Sequence, residues 1–215
     1  MQILQITLLS CESEGCEFKM LVSGIKSRPH YPGLKPDANA KQNVIVADSG
    51  GAAAVADMMR QVDSDFASRC VVLLVGPGDC RACEQFKFAS VWSSPTIATA
   101  INRLVNVLQH GRMGLRLYVA GTEPLIGQVV KTAVENGIEH NSVRTEHRGS
   151  TMRRVQCVHC KGITEAVTTN PVTCAHCGTA LLVRDHYSRR YAAFMGVRID
   201  AEAPGEIPQS VSEFK

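Results

Sequence analysis

The stretch Val44-Ile-Val-Ala-Asp-Ser-Gly-Gly-Ala52 decides the fold predicted for this chain. Four apolar, mostly β-branched residues end at an aspartate, and a glycine pair follows before a helical pattern begins. An apolar run bounded by turn residues is typical of a strand buried on both faces. Similar runs recur at residues 71–75 and 115–120. We therefore expect these segments to be strands of one sheet.

Helical patterns separate and follow these strands. Apolar residues recur at three- and four-residue spacing over residues 55–62, 97–108 and 126–134. The last helix is expected to stop at Asn136-Gly137, because glycine favours the left-handed cap, and a closing strand is expected near residues 143–146. This alternation predicts an α/β fold with a doubly wound parallel sheet, and any ligand at the carboxyl ends of its strands.

The composition predicts one main domain with a small module appended. The chain has 215 residues, of which 45% are hydrophobic, enough for a full core. A rise in cysteine content after residue 150 marks a boundary. We expect an extended N-terminal arm (1–43), a reductase-like α/β domain (44–150), a zinc-ribbon module with an Arg/aromatic segment (151–197) and an extended C-terminal tail (198–215).

Charge and cysteine usage limit the function classes. The formal net charge of +3 is far from the concentrated basic surface of a nucleic-acid-binding protein. Six of nine cysteines fall in Cys-x-x-Cys pairs, too close in sequence for a disulfide framework, so we expect a cytoplasmic protein. The apolar start lacks the basic region of a signal peptide, and no window is long and apolar enough to span a membrane.

Two cysteine pairs carry the strongest chemical signal in the sequence. Cys157-Val-His-Cys160 and Cys174-Ala-His-Cys177 are thirteen residues apart, which allows a β-hairpin to bring four thiolates together. A closed tetrahedral set of thiolates suits a structural zinc ion, with His159 and His176 exposed and not ligating. The alternatives are a rubredoxin-like iron and four unrelated buried cysteines.

A third pair, Cys80-Arg-Ala-Cys83, follows the second strand. Its position on a loop would suit a thioredoxin-like redox pair, but no aromatic context supports that interpretation. The alternative is a pair of free thiols on a loop.

The glycines after the first strand, Gly50 and Gly51, would let a phosphate approach the helix N-terminus, although tight strand-to-helix packing explains them almost as well. The loop Ala120-Gly121-Thr122-Glu123-Pro124 resembles the last nucleotide-side motif of ferredoxin reductase-type NAD(P)-binding lobes. That family has a cysteine where this chain has Ala120, so the resemblance implies a degenerate lobe. Its vestigial nucleotide site would comprise Gly50, Gly51, Gly121, Thr122 and Glu123.

A basic and aromatic segment follows the second cysteine pair. Arg184, His186, Arg189 and Arg190 lie among aromatic residues, in a pattern that suits contact with RNA or docking on an acidic protein surface. The alternative is a solvated helix that turns Leu182, Tyr191 and Phe194 inward.

Taken together, several motifs resemble the DmmA family, the small subunit of bacterial dimethylamine monooxygenase. The arm Ser27-Arg-Pro-His-Tyr-Pro-Gly-Leu, the reductase-like lobe, the cysteine pairs and Arg184-Asp-His-Tyr-Ser-Arg-Arg carry the resemblance. Its most specific part is residues 155–205.

The resemblance implies a subunit of an enzyme that converts dimethylamine to methylamine and formaldehyde with NAD(P)H and O₂. Haem, FMN and an iron–sulfur cluster would then reside on partners, a haem-containing oxygenase subunit and a flavin/iron–sulfur reductase subunit. This chain would be structural or would shape the electron path. The alternatives are an active NAD(P)H/flavin reductase component and a nucleic-acid-binding zinc-ribbon protein.

Overall fold

The computed structural model describes residues 27–77 and 81–215. It contains two units with separate sheets. The strands are β1 (Gln42–Asp48), β2 (Cys70–Val75), β3 (Ser90–Ser94), β4 (Leu115–Gly121), β5 (Val143–His147), β6 (Arg153–Cys157), β7 (Ile163–Val167), β8 (Thr169–Asn170), β9 (Val172–Thr173), β10 (Ala180–Ser188), β11 (Ala193–Arg198) and β12 (Val211–Ser212). The helices are α1 (Ala52–Met59), α2 (Ser64–Ser68), α3 (Ile97–Gln109) and α4 (Glu123–Glu135), with 3₁₀ turns at Arg81–Cys83 and His140–Ser142.

The first five strands form one parallel sheet in the order β3-β2-β1-β4-β5. The central strand β1 is buried along its length because helices cover both faces, which explains its unbroken apolar run. The chain reverses its winding between β1 and β4, so the crevice at their carboxyl ends is the topological switch point. The predicted doubly wound α/β sheet is confirmed.

The edge strand β3 was not expected from the sequence. Its residues, Ser-Val-Trp-Ser-Ser, do not form an apolar run, and Val91 and Trp92 are about half exposed. β3 nevertheless pairs with β2 along its whole length. An edge strand contacts the core less than a central strand does, so its sequence carries a weaker signal.

The caps of the helices match local sequence signals. Thr96 precedes α3 and its hydroxyl accepts a hydrogen bond from Thr99 N–H. Helix α4 ends at Glu135, and Gly137 takes a φ of +82°, so the predicted glycine stop is confirmed. Within the described ranges, no helix has the length and apolar character needed to cross a bilayer.

The second unit is a five-stranded sheet in the order β7-β6-β11-β10-β9. The strands β10 and β11 form an antiparallel hairpin, and β11 pairs in parallel with β6. The helix weighed for the Arg/aromatic segment is therefore wrong. The reason is a two-residue alternation that buries Leu181 and Val183 in the core and leaves Leu182 and Arg184 less buried.

The arm hydrogen-bonds to both five-stranded sheets, and the tail pairs with β8 in a separate two-stranded sheet. Ser27 N–H donates to Asp185 O in the second unit, and Gly33 N–H donates to Thr145 O at the edge of the first. The arm thus bridges the two units. At the other end of the chain, β12 pairs with β8, and Phe214 is buried in the core of the second unit.

Candidate functional site

The four predicted ligand cysteines come together between the strands of the second unit. Cys157 ends β6 and Cys160 lies in the turn that follows it, whereas the second pair lies between β9 and β10. All four sulfur atoms lie within 4.8 Å of one another. Cys157 and Cys174 are buried, whereas Cys177 is exposed.

The sulfur separations fit a tetrahedral metal site. The distance between Cys157 Sγ and Cys177 Sγ is 3.9 Å, and that between Cys160 Sγ and Cys174 Sγ is 3.7 Å. A tetrahedral ion with metal–sulfur bonds of ~2.3 Å holds its ligands about 3.8 Å apart. A disulfide would need a separation of only ~2.05 Å. The quartet therefore has the geometry to hold a metal ion and not two disulfides.

The two cysteine knuckles have the same backbone conformation. Lys161 and Gly178, each directly after a second cysteine, have φ values of +65° and +74°. Their N–H groups donate to the carbonyls of Cys157 and Cys174. In the first knuckle the left-handed position therefore belongs to Lys161 and not to Gly162. Gly162 has another reason to be glycine, because a Cβ there would lie 2.5 Å from the His176 ring.

The surroundings of the quartet favour a thiolate at Cys177, whereas at Cys160 the Gly162 N–H lowers the pKa but burial and the other three cysteines raise it more. Thr179 Oγ1 lies 3.3 Å from Cys177 Sγ, and hydrogen bonds from Thr179 lower the pKa of Cys177 to about 5. Gly162 N–H donates to Cys160 Sγ at 3.4 Å. Both histidines of the knuckles are exposed, and His176 Nε2 lies 2.9 Å from Ile163 O. The arrangement therefore provides four sulfur donors.

Cys83 differs from the expected loop thiol. It is buried at 3% exposure on a 3₁₀ turn beside α1, with Ala52 O 3.7 Å from its sulfur. Cys80 lies outside the described residues, so the structure describes only one cysteine of this pair.

The crevice between β1 and β4 brings together most of the residues predicted for a nucleotide. It borders an open cleft of about 480 Å³ lined by Gly50 and Thr122. Gly51 packs against β4, since a Cβ there would lie 2.1 Å from Ala120 O. Gly121, with a φ of +140°, packs equally closely on Asp48. Both glycines therefore permit close contact within the protein itself.

The carboxylate of Asp48 lies at the centre of this crevice. It accepts hydrogen bonds from Gly51 N–H, from Thr122 N–H and from the Thr122 hydroxyl, each at 2.9 Å. Backbone N–H groups at this switch point are the donors that a phosphate uses in nucleotide-binding folds. Here a side-chain anion of the protein uses them. The sequence contained the signal, an aspartate at the end of the first strand, but its role as an acceptor was not foreseen.

Glu123, the fifth residue predicted for the nucleotide, has a different environment. It is 5% exposed and lies beside Tyr187 of the second unit, above Gly127 of α4. Neither carboxylate oxygen has a hydrogen-bond partner among the described residues. Burial raises the pKa of Glu123 to about 7, and this outweighs the lowering effects of the nearby Tyr187 hydroxyl, which does not meet hydrogen-bond geometry, and of Arg154.

Two buried arginines organise the second unit. Arg153 pairs with Asp185 at 2.9 Å, and its guanidinium lies 4.0 Å from the ring centres of both Phe194 and Phe214. Arg154 binds both oxygens of Glu165 and donates to two backbone carbonyls. Each arginine is 8% exposed, and both are satisfied by partners that sequence patterns do not reveal.

Fold and site together define a two-unit protein, a doubly wound α/β unit joined to a five-stranded β-sheet unit with a four-cysteine cluster. The chain belongs to the family of dimethylamine monooxygenase subunit DmmA-like proteins. Residues 23–143 match the N-terminal domain of that family, and residues 154–197 match its C-terminal domain. The resemblance inferred from the sequence is therefore confirmed.

A curated relative is the heme-dependent oxidative N-demethylase delta subunit of Ectopseudomonas mendocina (strain ymp). It is 33% identical over 110 residues, which cover 51% of this chain and 63% of the relative. The match thus spans less than two thirds of the relative's length.

Two solved structures share part of the fold, both named as ferredoxin reductase in carbazole 1,9a-dioxygenase. The FAD apo form is 11% identical, with a TM-score of 0.41 over 53% of this chain and 34% of that chain. The other is also 11% identical, with a TM-score of 0.37 over 54% and 40% respectively. At these scores the likeness adds nothing to the topology described above.

Proposed function

We propose that this chain is a non-catalytic subunit of a cytoplasmic dimethylamine monooxygenase complex. The complex would convert dimethylamine to methylamine and formaldehyde with NAD(P)H and O₂. The observation that carries the proposal is the family match, which includes both units of the chain. Its partners would be a haem-containing oxygenase subunit and a reductase subunit with FMN and an iron–sulfur cluster.

The four-cysteine cluster would hold a structural zinc ion. Cys157, Cys160, Cys174 and Cys177 would be its ligands, and the sulfur separations support a tetrahedral ion. Four protein ligands leave no open position for a substrate or water, as in structural zinc sites. The ion would fix the two knuckles to each other, and the β10–β11 hairpin that leaves the second knuckle would be held in place.

The α/β unit would act as a scaffold and not as a hydride-transfer domain. Support comes from the carboxylate of Asp48, which uses the N–H groups of Gly51 and Thr122 that a phosphate would need. A second anion at the same donors would meet this carboxylate and be repelled. This favours the subunit hypothesis over that of an active reductase component.

Reconstitution with the partner subunits tests the proposal. The three subunits are co-expressed, purified through a tag on the oxygenase subunit, and assayed for formaldehyde from dimethylamine and NADPH. We expect the chain to co-purify and formaldehyde formation to fall when it is left out. A stable monomer that never joins the other subunits would refute the subunit role.

A cysteine comparison separates the role of the metal from that of assembly. Cys174→Ser should lose the metal and weaken co-purification, whereas Cys70→Ala, which removes a fully buried cysteine outside the cluster, should retain both. Elemental analysis of the wild-type complex should give one zinc per chain of this subunit. One iron per chain, with absorption in the visible range, would instead identify the site as a rubredoxin-like iron centre.

A further inference from the structure

A cavity of about 300 Å³ lies where the two units meet. Its walls come from the arm, from α4, from the start of β5 and from the β10–β11 hairpin. This volume is at the lower end of the range for small-molecule sites, which occur preferentially at such junctions. It is separate from the four-cysteine cluster and from the crevice at Asp48, since none of their residues lines it.

The interior of the cavity is apolar and aromatic. Ile126, Val130 and Val143 line it on the side of the α/β unit, and Tyr31 and Tyr187 line it from the arm and from β10. Aromatic and aliphatic walls of this kind bind a flat apolar body through surface burial and ring contacts.

The two tyrosines are held in position by their neighbours. Tyr31 stacks on His147 with ring centres 5.7 Å apart, and Tyr187 meets the ring of Phe194 edge-on at 5.1 Å. Tyr187 reaches over α4 because Gly127 has no side chain there, since a Cβ would lie 2.1 Å from the tyrosine hydroxyl. The walls are therefore formed before any ligand arrives, which lowers the entropic cost of binding.

The charged residues that line the cavity are all of one sign. They are the guanidinium groups of Arg144 and Arg189, and no aspartate or glutamate lines it. Arg144 donates one N–H to Asn141 O at 2.7 Å, which leaves its other donors for a ligand. Within residues 27–77 and 81–215, Arg189 is exposed and has no ion-pair partner.

Two nearby acidic side chains are engaged by other residues, and a third, Glu123 beside Tyr187, does not line the cavity. Asp37, close enough to Arg144 for the arginine to help lower its pKa, is bonded to Arg116 at 2.8 Å. Glu146, on the same strand as Arg144, pairs with Arg148 at 2.7 Å. The arginines of the cavity are thus left without an internal anion, in contrast to the donors around Asp48.

We propose that this cavity binds a small molecule with a flat apolar body and one anionic group, such as a carboxylate, sulfonate or phosphate. The body lies between Tyr31 and Tyr187, against Val130. The anion lies on Arg144 and Arg189, where charge-assisted hydrogen bonds form. A bicyclic body is the largest that suits a cavity of about 300 Å³.

Two fluorescent probes of matched shape test the proposal on the full-length protein. Naphthalene-2-sulfonate has a bicyclic apolar body and an anion, and naphthalene-2-sulfonamide has the same rings with a neutral polar group. We expect saturable binding of the sulfonate. The double variant Arg144→Gln/Arg189→Gln should weaken sulfonate binding about 100-fold and leave binding of the neutral probe unchanged, because each of the two lost charge-assisted bonds costs about a factor of ten. The control is Arg112→Gln, an exposed arginine outside the cavity, which should bind both probes as the wild type does.

A filled cavity provides the second test. Val130→Trp should abolish binding of both probes, and Val130→Phe is the smaller replacement if the tryptophan prevents folding, as judged by circular dichroism. Sulfonate affinity that is unchanged in the double variant would overturn the assignment of the anion. Probe binding that persists at wild-type strength in a folded Val130 variant would overturn the cavity as the site.

Discussion

Replacing Glu123 by Gln should make the protein more stable at pH 8 and change little at pH 5. The carboxyl is 5% exposed at the junction of α4 with the second unit, and burial raises its pKa from the ordinary 4.5 to about 7. Because the folded state holds the proton more tightly than the unfolded state, the folded protein loses stability as the pH rises from 4.5 to 7.

The size of the expected stability change follows from the shift in the pKa of Glu123. Each tenfold difference in proton affinity corresponds to about 1.4 kcal/mol, so the ionised carboxylate costs roughly 3 kcal/mol above pH 7. Most of this cost is absent at pH 5, where the folded protein has Glu123 protonated. Glutamine has nearly the same shape and cannot ionise, so the variant avoids the cost at every pH.

Urea denaturation at pH 5, 6, 7 and 8 provides the measurement. The free energy of unfolding of Glu123→Gln, minus that of the wild type, should increase by about 2 kcal/mol from pH 5 to pH 8. The matched control is Glu135→Gln, which replaces an exposed glutamate at the end of the same helix. For this variant the difference in free energy of unfolding from the wild type should not change with pH. A flat difference for Glu123→Gln as well would refute the interpretation that burial penalises its charge.

Three further predictions concern the metal, the crevice and the tail. A strong chelator should lower the melting temperature of the second unit, and added zinc should restore it; a chelator without effect would contradict a structural ion. Asp48→Ala leaves the N–H groups of Gly51 and Thr122 without their acceptor and should cost about 2–4 kcal/mol in urea denaturation, whereas wild-type stability would show that the carboxylate is dispensable. Phe214→Ala removes a 3%-exposed ring from the guanidinium of Arg153 and should cost about 3 kcal/mol, with faster proteolysis of the C-terminal segment; unaltered proteolysis would show that the tail is held by other contacts.

The sequence predicts the parts of this fold whose signals are local. The central strands β1, β2 and β4 are continuous apolar runs, and Gly137 ends α4 where a left-handed cap is needed. The edge strand β3 has no such run, because exposure removes the pressure for apolar residues on it. The hairpin β10–β11 was open to a helical interpretation, since a segment with Arg and aromatic residues fits both periods when its partners are unknown.

Local sequence patterns likewise predict some of the candidate sites and not others. The four cysteines are adjacent pairs, so their spacing alone predicts the cluster. The anion acceptor Asp48 is bonded to Thr122, 74 residues away, and the cavity at the junction joins Tyr31 to Tyr187 across an even longer separation. Such contacts depend on how sheets and units pack, and no local pattern encodes them. An isolated glycine inside α4, Gly127, was the one local sign that a bulky side chain from elsewhere crosses the helix.

The carboxylate between β1 and β4 has a kinetic consequence. A phosphate held by the same N–H groups would dissociate at a rate set by its affinity, and the two loops would relax each time it left. Asp48 is attached covalently to β1, so its local concentration at Gly51 and Thr122 does not depend on any solute. The loops on either side of the switch point are thereby joined without a bound solute, so their connection does not depend on the concentration of any ligand.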